Sequence, residues 1–212
     1  MRYISQPDMI AKKAKKIIEQ LNLGRVAINQ KSIVHAMVQA TADPSIAEQI
    51  RISPQVTPHL YKNIVNAKIL CDVEMVKAGI NQESYTGKIL CFIKDSKIRS
   101  LAAQKNQTRS MLAVDLWQPH IENAVILIGN APTALFRFIE LMQQFHLKPK
   151  LIIGTPVGFV GAAQAKRLLW QICIDENLPC ITLLGPRGGS ALAVSALHAI
   201  AQMVHTHASS MA

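Results

Sequence analysis

The chain has 212 residues, half of them hydrophobic, and its 23 basic and 13 acidic residues give a formal net charge of +10. This length predicts a single domain with a sizeable core, and no apolar run reaches the ~20 residues that span a bilayer. The charge favours anionic partners, but only 5% of the residues are aromatic and no nucleic-acid-binding signature is present, which argues against DNA or RNA.

The termini and the cysteines bear on location and metal binding. The N-terminal segment is charged rather than apolar, so we expect no secretory signal and a cytoplasmic protein. The four cysteines form no C-x-x-C pair, which predicts neither a disulfide framework nor a zinc site. His205 and His207 could chelate a metal, although a frayed polar tail over 203–212 is the simpler interpretation. We therefore predict one domain over 1–212, without a bound metal and with a frayed end.

Two helices come first in chain order. The first is an amphipathic segment with lysines at 12, 13, 15 and 16, which predicts a solvated basic face. The second contains S-I-V-H-A-M-V-Q-A-T-A-D (32–43), in which His35 and Gln39 are four residues apart and share one helix face. This pair is either a proton-transfer site or a packed histidine with a polar neighbour.

Short apolar strands dominate the rest of the chain. Two candidates, at 67–72 and 88–93, flank the segment E-M-V-K-A-G-I. The second half then repeats a strand, a small-residue turn and an amphipathic helix three times, with strands at 124–128, 151–153 and 180–184. Strands that are apolar throughout and separated by helices predict an α/β fold. We expect one mainly parallel sheet covered by helices on both faces, with the N-terminal helices in front.

The three turns, G-N-A-P-T, G-T-P-V-G-F-V-G-A-A and G-P-R-G-G-S, should lie beyond the carboxyl ends of the strands, where such sheets bind ligands. Their glycines either let backbone N–H groups approach an anion at a helix N-terminus or allow close packing of strand and helix. The chain has no G-x-G-x-x-G, P-loop or G-x-S-x-G motif, so dinucleotide binding, phosphoryl transfer and serine hydrolysis are not supported.

Five blocks of sequence are distinctive when read together. They are I-L-C-D-V-E-M-V-K-A-G-I (69–80), N-Q-T-R-S (106–110), I-G-N-A-P-T-A-L-F (128–136), I-I-G-T-P-V-G-F-V-G-A-A (152–163) and G-P-R-G-G-S-A-L-A (185–193). Together these blocks resemble the precorrin-8X methylmutases of cobalamin biosynthesis. The resemblance covers about 4–201 and implies a homodimeric isomerase, without an external cofactor, that moves a methyl group from C11 to C12 of a corrinoid. The substrate would be precorrin-8X, giving hydrogenobyrinate, or its cobalt complex, giving cobyrinate. Its carboxylates suit the basic charge of the chain.

The resemblance also implies a histidine that protonates a ring nitrogen, a fixed distance before an S-P dipeptide. Here the anchors A-T-A-D and I-S-P both place Gln39, not His35, at that position. Gln39 can hydrogen-bond but cannot titrate, while His35 is either an alternative donor one turn away or a packed helix histidine. Ala36 and Ala14 stand where the resemblance implies a basic residue and a serine.

Other residues match the family pattern and form the predicted substrate-binding set. Arg109 lies between a threonine and a serine, as in a carboxylate clamp, and Arg187 lies in a glycine loop, where it either meets a propionate or faces solvent. Asp72 and Glu74 are either a carboxylate pair or acids at a helix N-terminus. The whole predicted set is Thr108, Arg109, Ser110, Asn130, Gly158, Gly161, Arg187, Gly188, Gly189 and Ser190.

Three functions follow from the sequence. The first is an isomerase that tolerates Gln39, with slow turnover or with His35 as the donor. The second is a catalytically reduced paralogue that holds or delivers a corrinoid without converting it. The third, a nucleic-acid-binding protein, rests on charge alone and predicts a steep salt dependence of binding.

Overall fold

A computed structural model describes residues 3–21, 27 and 30–209, except for the side chains of 58, 61 and 202–209. Its centre is a six-stranded sheet in the order β1-β6-β5-β4-β2-β3. The strands are β1 (Ile50–Ile52), β2 (Ile69–Cys71), β3 (Ile89–Leu90), β4 (Val125–Ile128), β5 (Leu151–Gly154) and β6 (Cys180–Leu183). All neighbours pair in parallel except β1, which runs antiparallel to β6. The prediction of a mainly parallel sheet is confirmed.

Nine α-helices lie within the described part of the chain. They are α1 (Pro7–Glu19), α2 (Lys31–Thr41), α3 (Pro58–Ile64), α4 (Glu74–Gly79), α5 (Ser96–Lys105), α6 (Arg109–Asp115), α7 (Pro132–Gln144), α8 (Ala162–Asp175) and α9 (Ser190–Ser209). Short 3-10 helices cover Pro44–Gln49 and Gln118–His120. The backbone of α9 is helical to Ser209, where the sequence predicts a frayed end from 203. The side chains of His205 and His207 lie outside the described residues.

Side-chain alternation along the strands divides the core into two layers. Ile69, Leu127 and Ile153 face one layer, which α9 fills with α1 to α4 around it. Leu70, Ile126 and Ile152 face the other layer, formed by α6, α7 and α8. Successive strand residues point to opposite faces, so fully apolar strands need helices on both sides. The predicted cover on both faces, with the N-terminal helices on one of them, is therefore present.

Helix α2 is fixed by its apolar stripe. Ile33, Val34, Met37 and Val38 are buried, and their spacing of three and four residues places them on the side that packs against α9. Each fully buried side chain of this size stabilises the fold by roughly 1.5–3 kcal/mol. The helix ends at Ala42, whose left-handed backbone, with a φ of 51°, turns the chain into the following 3-10 helix.

Helix α1 has a different character. Its four lysines at 12, 13, 15 and 16 are all exposed, as the amphipathic pattern predicts, and only Ile18 is buried.

Among the described residues, no helix combines the length and the apolar character needed to cross a bilayer. All four cysteines are free thiols.

Candidate active site

The loops that follow β2, β4, β5 and β6 meet at the carboxyl edge of the sheet, where the sequence places the binding rim. Asp72 directly follows β2 and is 1% exposed. Its carboxylate accepts hydrogen bonds from the N–H groups of Gly129, Asn130 and Ala131 at 3.1, 2.9 and 2.9 Å. Burial raises the pKa of the Asp72 carboxyl, and the three N–H donors oppose that shift. Asp72 therefore braces the loop after β4 and is not a free acid at the rim.

Glu74 has a separate role. It lies in the first turn of α4 and forms an ion pair with Lys94 at 3.1 Å. This contact with Lys94 lowers the pKa of the Glu74 carboxyl. Of the two sequence interpretations, the helix-terminus one describes Glu74, because its carboxylate is paired with a lysine and Asp72 is occupied elsewhere.

The loops after β5 and β6 are bonded to each other through their glycines. The N–H of Gly158 donates to the carbonyl of Pro186 at 3.0 Å, and the N–H of Gly189 donates to the carbonyl of Thr155 at 2.8 Å. A Cβ on Gly188 would lie 2.3 Å from the Thr155 carbonyl oxygen, so only glycine fits there. These contacts correspond to the close-packing interpretation, because the N–H groups of Gly158 and Gly189 already have partners inside the protein.

Gly161 and Asn130 occupy the starts of two rim helices. Gly161 precedes α8 in a left-handed conformation with a φ of 80°, and no side chain caps that helix. Asn130 is exposed, and only its backbone N–H is held by Asp72. The exposed Asn130 side chain is therefore the part of these two loops that a ligand can reach, while the start of α8 offers N–H groups without a side-chain cap from its N-cap residue.

The predicted carboxylate clamp lies at the start of α6. Thr108 caps this helix by accepting the N–H of Met111 at 3.3 Å, and its hydroxyl is 2.7 Å from that of Thr133 in the first turn of α7. Arg109 is exposed and forms no ion pair within the part of the chain that the structure describes. Ser110 follows and is half-buried. The clamp arginine is thus presented to solvent beside the N-terminus of α7.

Arg187 is placed differently from the sequence expectation of a propionate contact or plain solvent exposure. Its guanidinium forms an ion pair with Asp43 and donates to the hydroxyl and the carbonyl of Ser45 at 2.8 and 3.3 Å. Asp43 also accepts the N–H and hydroxyl of Ser45, and these bonds, followed by Arg187, lower the pKa of its carboxyl. Arg187 therefore connects the loop after β6 to the turn after α2.

Gln39 lies on the wall of a pocket of about 320 Å³ between α1 and α2. The other lining residues are Ala14, Ile17, Ile18, Leu21, Val38, Ala42 and Pro44. Gln39 is exposed and is the one residue with a polar side chain among the described residues that line the pocket. Ala14, another position at which the resemblance implies a different residue, lines the same pocket. The structure therefore brings Ala14 and Gln39 together in a pocket whose other described lining residues are apolar.

His35 is one turn earlier on α2 and does not line this pocket. It is half-buried near the end of α1, where burial lowers the pKa of its imidazole and the Glu19 carboxylate opposes that shift. Burial therefore favours the neutral form of its ring. This environment is that of a packed helix histidine, the simpler of the two sequence interpretations.

A second pocket, of about 390 Å³, opens between α4 and α9 and contains a predicted site residue. Ser190 begins α9, is 7% exposed, and its hydroxyl has no hydrogen-bond partner in the described residues. Met75, Val194 and His198 line the pocket with it. The ring of His198 accepts the N–H of Asn81 at 3.0 Å, and burial lowers its pKa. Sequence reasoning missed His198, although residues 190, 194 and 198 share one helix face.

No group of three or more histidine, cysteine, aspartate or glutamate side chains that could hold a metal ion occurs among the described residues. The exposed polar side chains near the candidate site are instead Arg109 and Asn130 on the rim and Gln39 in the pocket between α1 and α2. These groups suit hydrogen bonding to carboxylates and amides.

Comparisons with known proteins agree with this architecture. A family described as "Precorrin-8X methylmutase" matches residues 9–203. The precorrin-8X methylmutase of Pseudomonas aeruginosa is 33% identical over 86% of this chain and 88% of its own, and the cobalt-precorrin-8 methylmutase of Methanocaldococcus jannaschii is 37% identical over 79% and 77%. The crystal structure of the enzyme from Thermus thermophilus superposes with a TM-score of 0.79 and 29% identity, over 93% of this chain and 98% of its own. The chain therefore belongs to the precorrin-8X methylmutase family.

Proposed function

We propose that this protein is a methylmutase that acts on precorrin-8X or cobalt-precorrin-8. The proposal is carried by the family match over residues 9–203, which spans both the Gln39 pocket and the carboxyl-edge rim. In the reaction one carbon–carbon bond breaks at C11 and one forms at C12, so substrate and product have the same composition and no second substrate is consumed. The protein's task is to position the ring and to adjust its protonation.

The rim fits a polycarboxylate ligand. Arg109 is an exposed guanidinium, and a planar fork of N–H donors matches a carboxylate. Asn130 and the uncapped start of α8 at Gly161 add neutral donors. The net charge of +10 attracts such a substrate from a distance.

Gln39 decides how the methyl shift proceeds. An amide donates to a ring nitrogen or a carboxylate but transfers no proton, so Gln39 supplies positioning and not general acid catalysis. General acid catalysis contributes about 10²–10⁴-fold, so turnover is slow compared with relatives that have a proton donor there. His35 does not line the pocket, which supports Gln39 as the residue that would face the ring.

The assembly that we propose is a homodimer in the cytoplasm. Phe159 and Val160 in the loop after β5 are 98% and 88% exposed, an apolar pair that a second subunit would cover. The loop belongs to the rim, so the partner subunit would adjoin the site. Four free thiols suit the reducing cytoplasm.

The test is incubation of the purified protein with precorrin-8X and, separately, with its cobalt complex, while the visible spectrum is followed. We expect slow formation of hydrogenobyrinate or cobyrinate by the natural chain. Gln39→His should accelerate it by about 10²–10⁴-fold, and Gln39→Ala should slow it further. No conversion by either the natural chain or Gln39→His would refute the methylmutase function.

The same samples distinguish a corrinoid carrier. If the natural chain binds hydrogenobyrinate tightly and converts nothing, while Gln39→His converts precorrin-8X, the scaffold is intact and the natural chain is a binding paralogue. The amide at position 39 is the observation that favours this second function. Absence of corrinoid binding would exclude both functions.

A further inference from the structure

Lys166 is a fully buried lysine beneath the rim. It lies in the second turn of α8, and its relative exposure is 0%. Its ammonium donates one hydrogen bond, to the backbone carbonyl of Arg187, and forms no ion pair with a carboxylate in the described part of the molecule. A buried ammonium without a counter-charge is costly, and an apolar side chain of similar size would ordinarily be at least as stable there. Its single contact is therefore the feature to explain.

That contact leads to the Gln39 pocket through one residue. The backbone of Arg187 is held by Lys166, while the side chain of Arg187 is paired with Asp43 and Ser45. Asp43 lies between Ala42 and Pro44, which both line the pocket beside Gln39. The turn is further fixed because Asp43 accepts the N–H and the hydroxyl of Ser45 at 2.9 and 2.6 Å.

The geometry points to Lys166 as a positioning residue that acts through Arg187 on the wall of the Gln39 pocket. Lys166 fixes the backbone from which the Arg187 side chain extends, and the guanidinium holds the turn at 42–45 that ends α2. Neither residue touches the pocket itself. Segments more than 140 residues apart in sequence are thereby held in one arrangement. The contacts that run from Lys166 through Arg187 to Asp43 are called the relay below, and they do not depend on the proposed function. Only the expected effect on ligand binding rests on the proposed function.

Amide hydrogen exchange tests the relay without any ligand. In Lys166→Met we expect faster exchange in two separate segments, 185–190 and 43–46, by about tenfold or more where a hydrogen bond is lost. The reporting amides in the second segment are those of Ser45 and Ile46, which donate to Asp43. In Asp43→Asn, amide exchange should become faster at 43–46 and stay unchanged at 185–190.

Two comparisons separate a relay from general destabilisation. Lys97→Met, an exposed lysine on α5, should change neither segment. Exchange in β4, at the sheet centre, should be unaltered in every variant. Faster exchange confined to 185–190 in Lys166→Met, or spread evenly over the chain, would overturn the relay. If Lys166→Met does not fold, Arg187→Ala must still raise exchange at 43–46, and its failure to do so overturns the relay equally.

Titration of hydrogenobyrinate, followed by absorbance, then tests the effect on the site. Lys166→Met and Asp43→Asn should each weaken binding about tenfold, and the double variant should bind no more weakly than either single variant. Asp43→Glu keeps the charge and should restore part of the affinity. Arg137→Met, which breaks an ion pair between α7 and Asp115 of α6, in the layer that does not contain the Gln39 pocket, should leave the affinity unchanged. Additive losses would overturn action through one relay. Absence of binding by the natural chain would refute the proposed function. In that case the amide exchange experiment alone tests whether Lys166 acts through Arg187 on the turn at 42–45.

Discussion

Replacing Lys166 by methionine should change how the free energy of unfolding depends on pH. The size of the change follows from the pKa shift that burial causes in the Lys166 ammonium. Burial lowers the pKa of the Lys166 ammonium from 10.5 to about 8. At pH 7 the folded state therefore holds a charge that costs about 3 kcal/mol relative to the unfolded chain. This cost is complete below pH 8 and disappears as the pH rises to 10.5, because in that interval the unfolded state binds the extra proton.

The lost hydrogen bond acts in the opposite direction. Methionine leaves the Arg187 carbonyl without its Lys166 donor, at a cost of about 1–3 kcal/mol. At pH 7 the two effects offset each other, so Lys166→Met should be within about 2 kcal/mol of the natural chain or more stable. Near pH 10 most of the charge cost is gone and the lost hydrogen bond dominates, so the variant should be the less stable protein.

The measurement is urea unfolding of both proteins at pH 7, 8, 9 and 10. We expect the free energy of unfolding of Lys166→Met, minus that of the natural chain, to fall by about 2–3 kcal/mol between pH 7 and pH 10. Other titrating groups are common to both proteins and cancel in the difference. Lys97→Met, at an exposed site, should give a difference that does not vary with pH. A constant difference for Lys166→Met would refute the unpaired, buried ammonium.

Three further predictions follow from particular backbone and side-chain positions. Gly188→Ala should destabilise the protein by about 3 kcal/mol or more, because its Cβ would meet the Thr155 carbonyl. Gly79→Ala is the control, because its Cβ would meet only a side chain, at 3.0 Å. Urea midpoints compare the two variants, and an equal loss of stability in both would contradict the close loop contact. Ala42→Gly should raise the free energy of unfolding by about 0.5–1 kcal/mol, because glycine adopts the left-handed φ of 51° without steric strain. A lower urea midpoint for this variant would show that Ala42 is not strained. Ser190→Ala should raise the free energy of unfolding by about 1 kcal/mol, because it removes a buried hydroxyl that has no hydrogen-bond partner in the described residues; a lower urea midpoint would show that this hydroxyl is paired in solution.

The sequence by itself determines the layered α/β fold. Runs such as V-I-L-I in β4 and L-I-I-G in β5 are apolar at every position, which only a sheet covered on both faces accommodates. The pattern also determines α2, whose buried stripe recurs at three and four residues. These features are readable because each depends on neighbours a few positions away. The family resemblance adds the position of Gln39, which periodicity alone does not mark.

Strand β1 and the short helices needed the tertiary structure. The run I-R-I of β1 has three residues and gains its partner only when Leu183 of β6 is beside it, 133 positions along the chain. The weakly amphipathic α5 lacks a clear apolar stripe, although Asp95 caps it. Short elements carry little periodic signal of their own, so their formation depends on contacts made after the chain closes.

The roles of the rim residues were likewise decided by tertiary contacts. The sequence marks Arg187 as a basic residue among glycines, but its ion pair with Asp43 joins segments that no local pattern connects. The spacing of Lys166 from Ala162 and Leu169 puts it on the buried stripe of α8. A lysine is normally expected at the surface, so the sequence alone does not predict its burial. Sequence fixes which side chains are available within each element. Which of them are used inside the protein, and which remain for a ligand, depends on packing between elements that are distant in the chain.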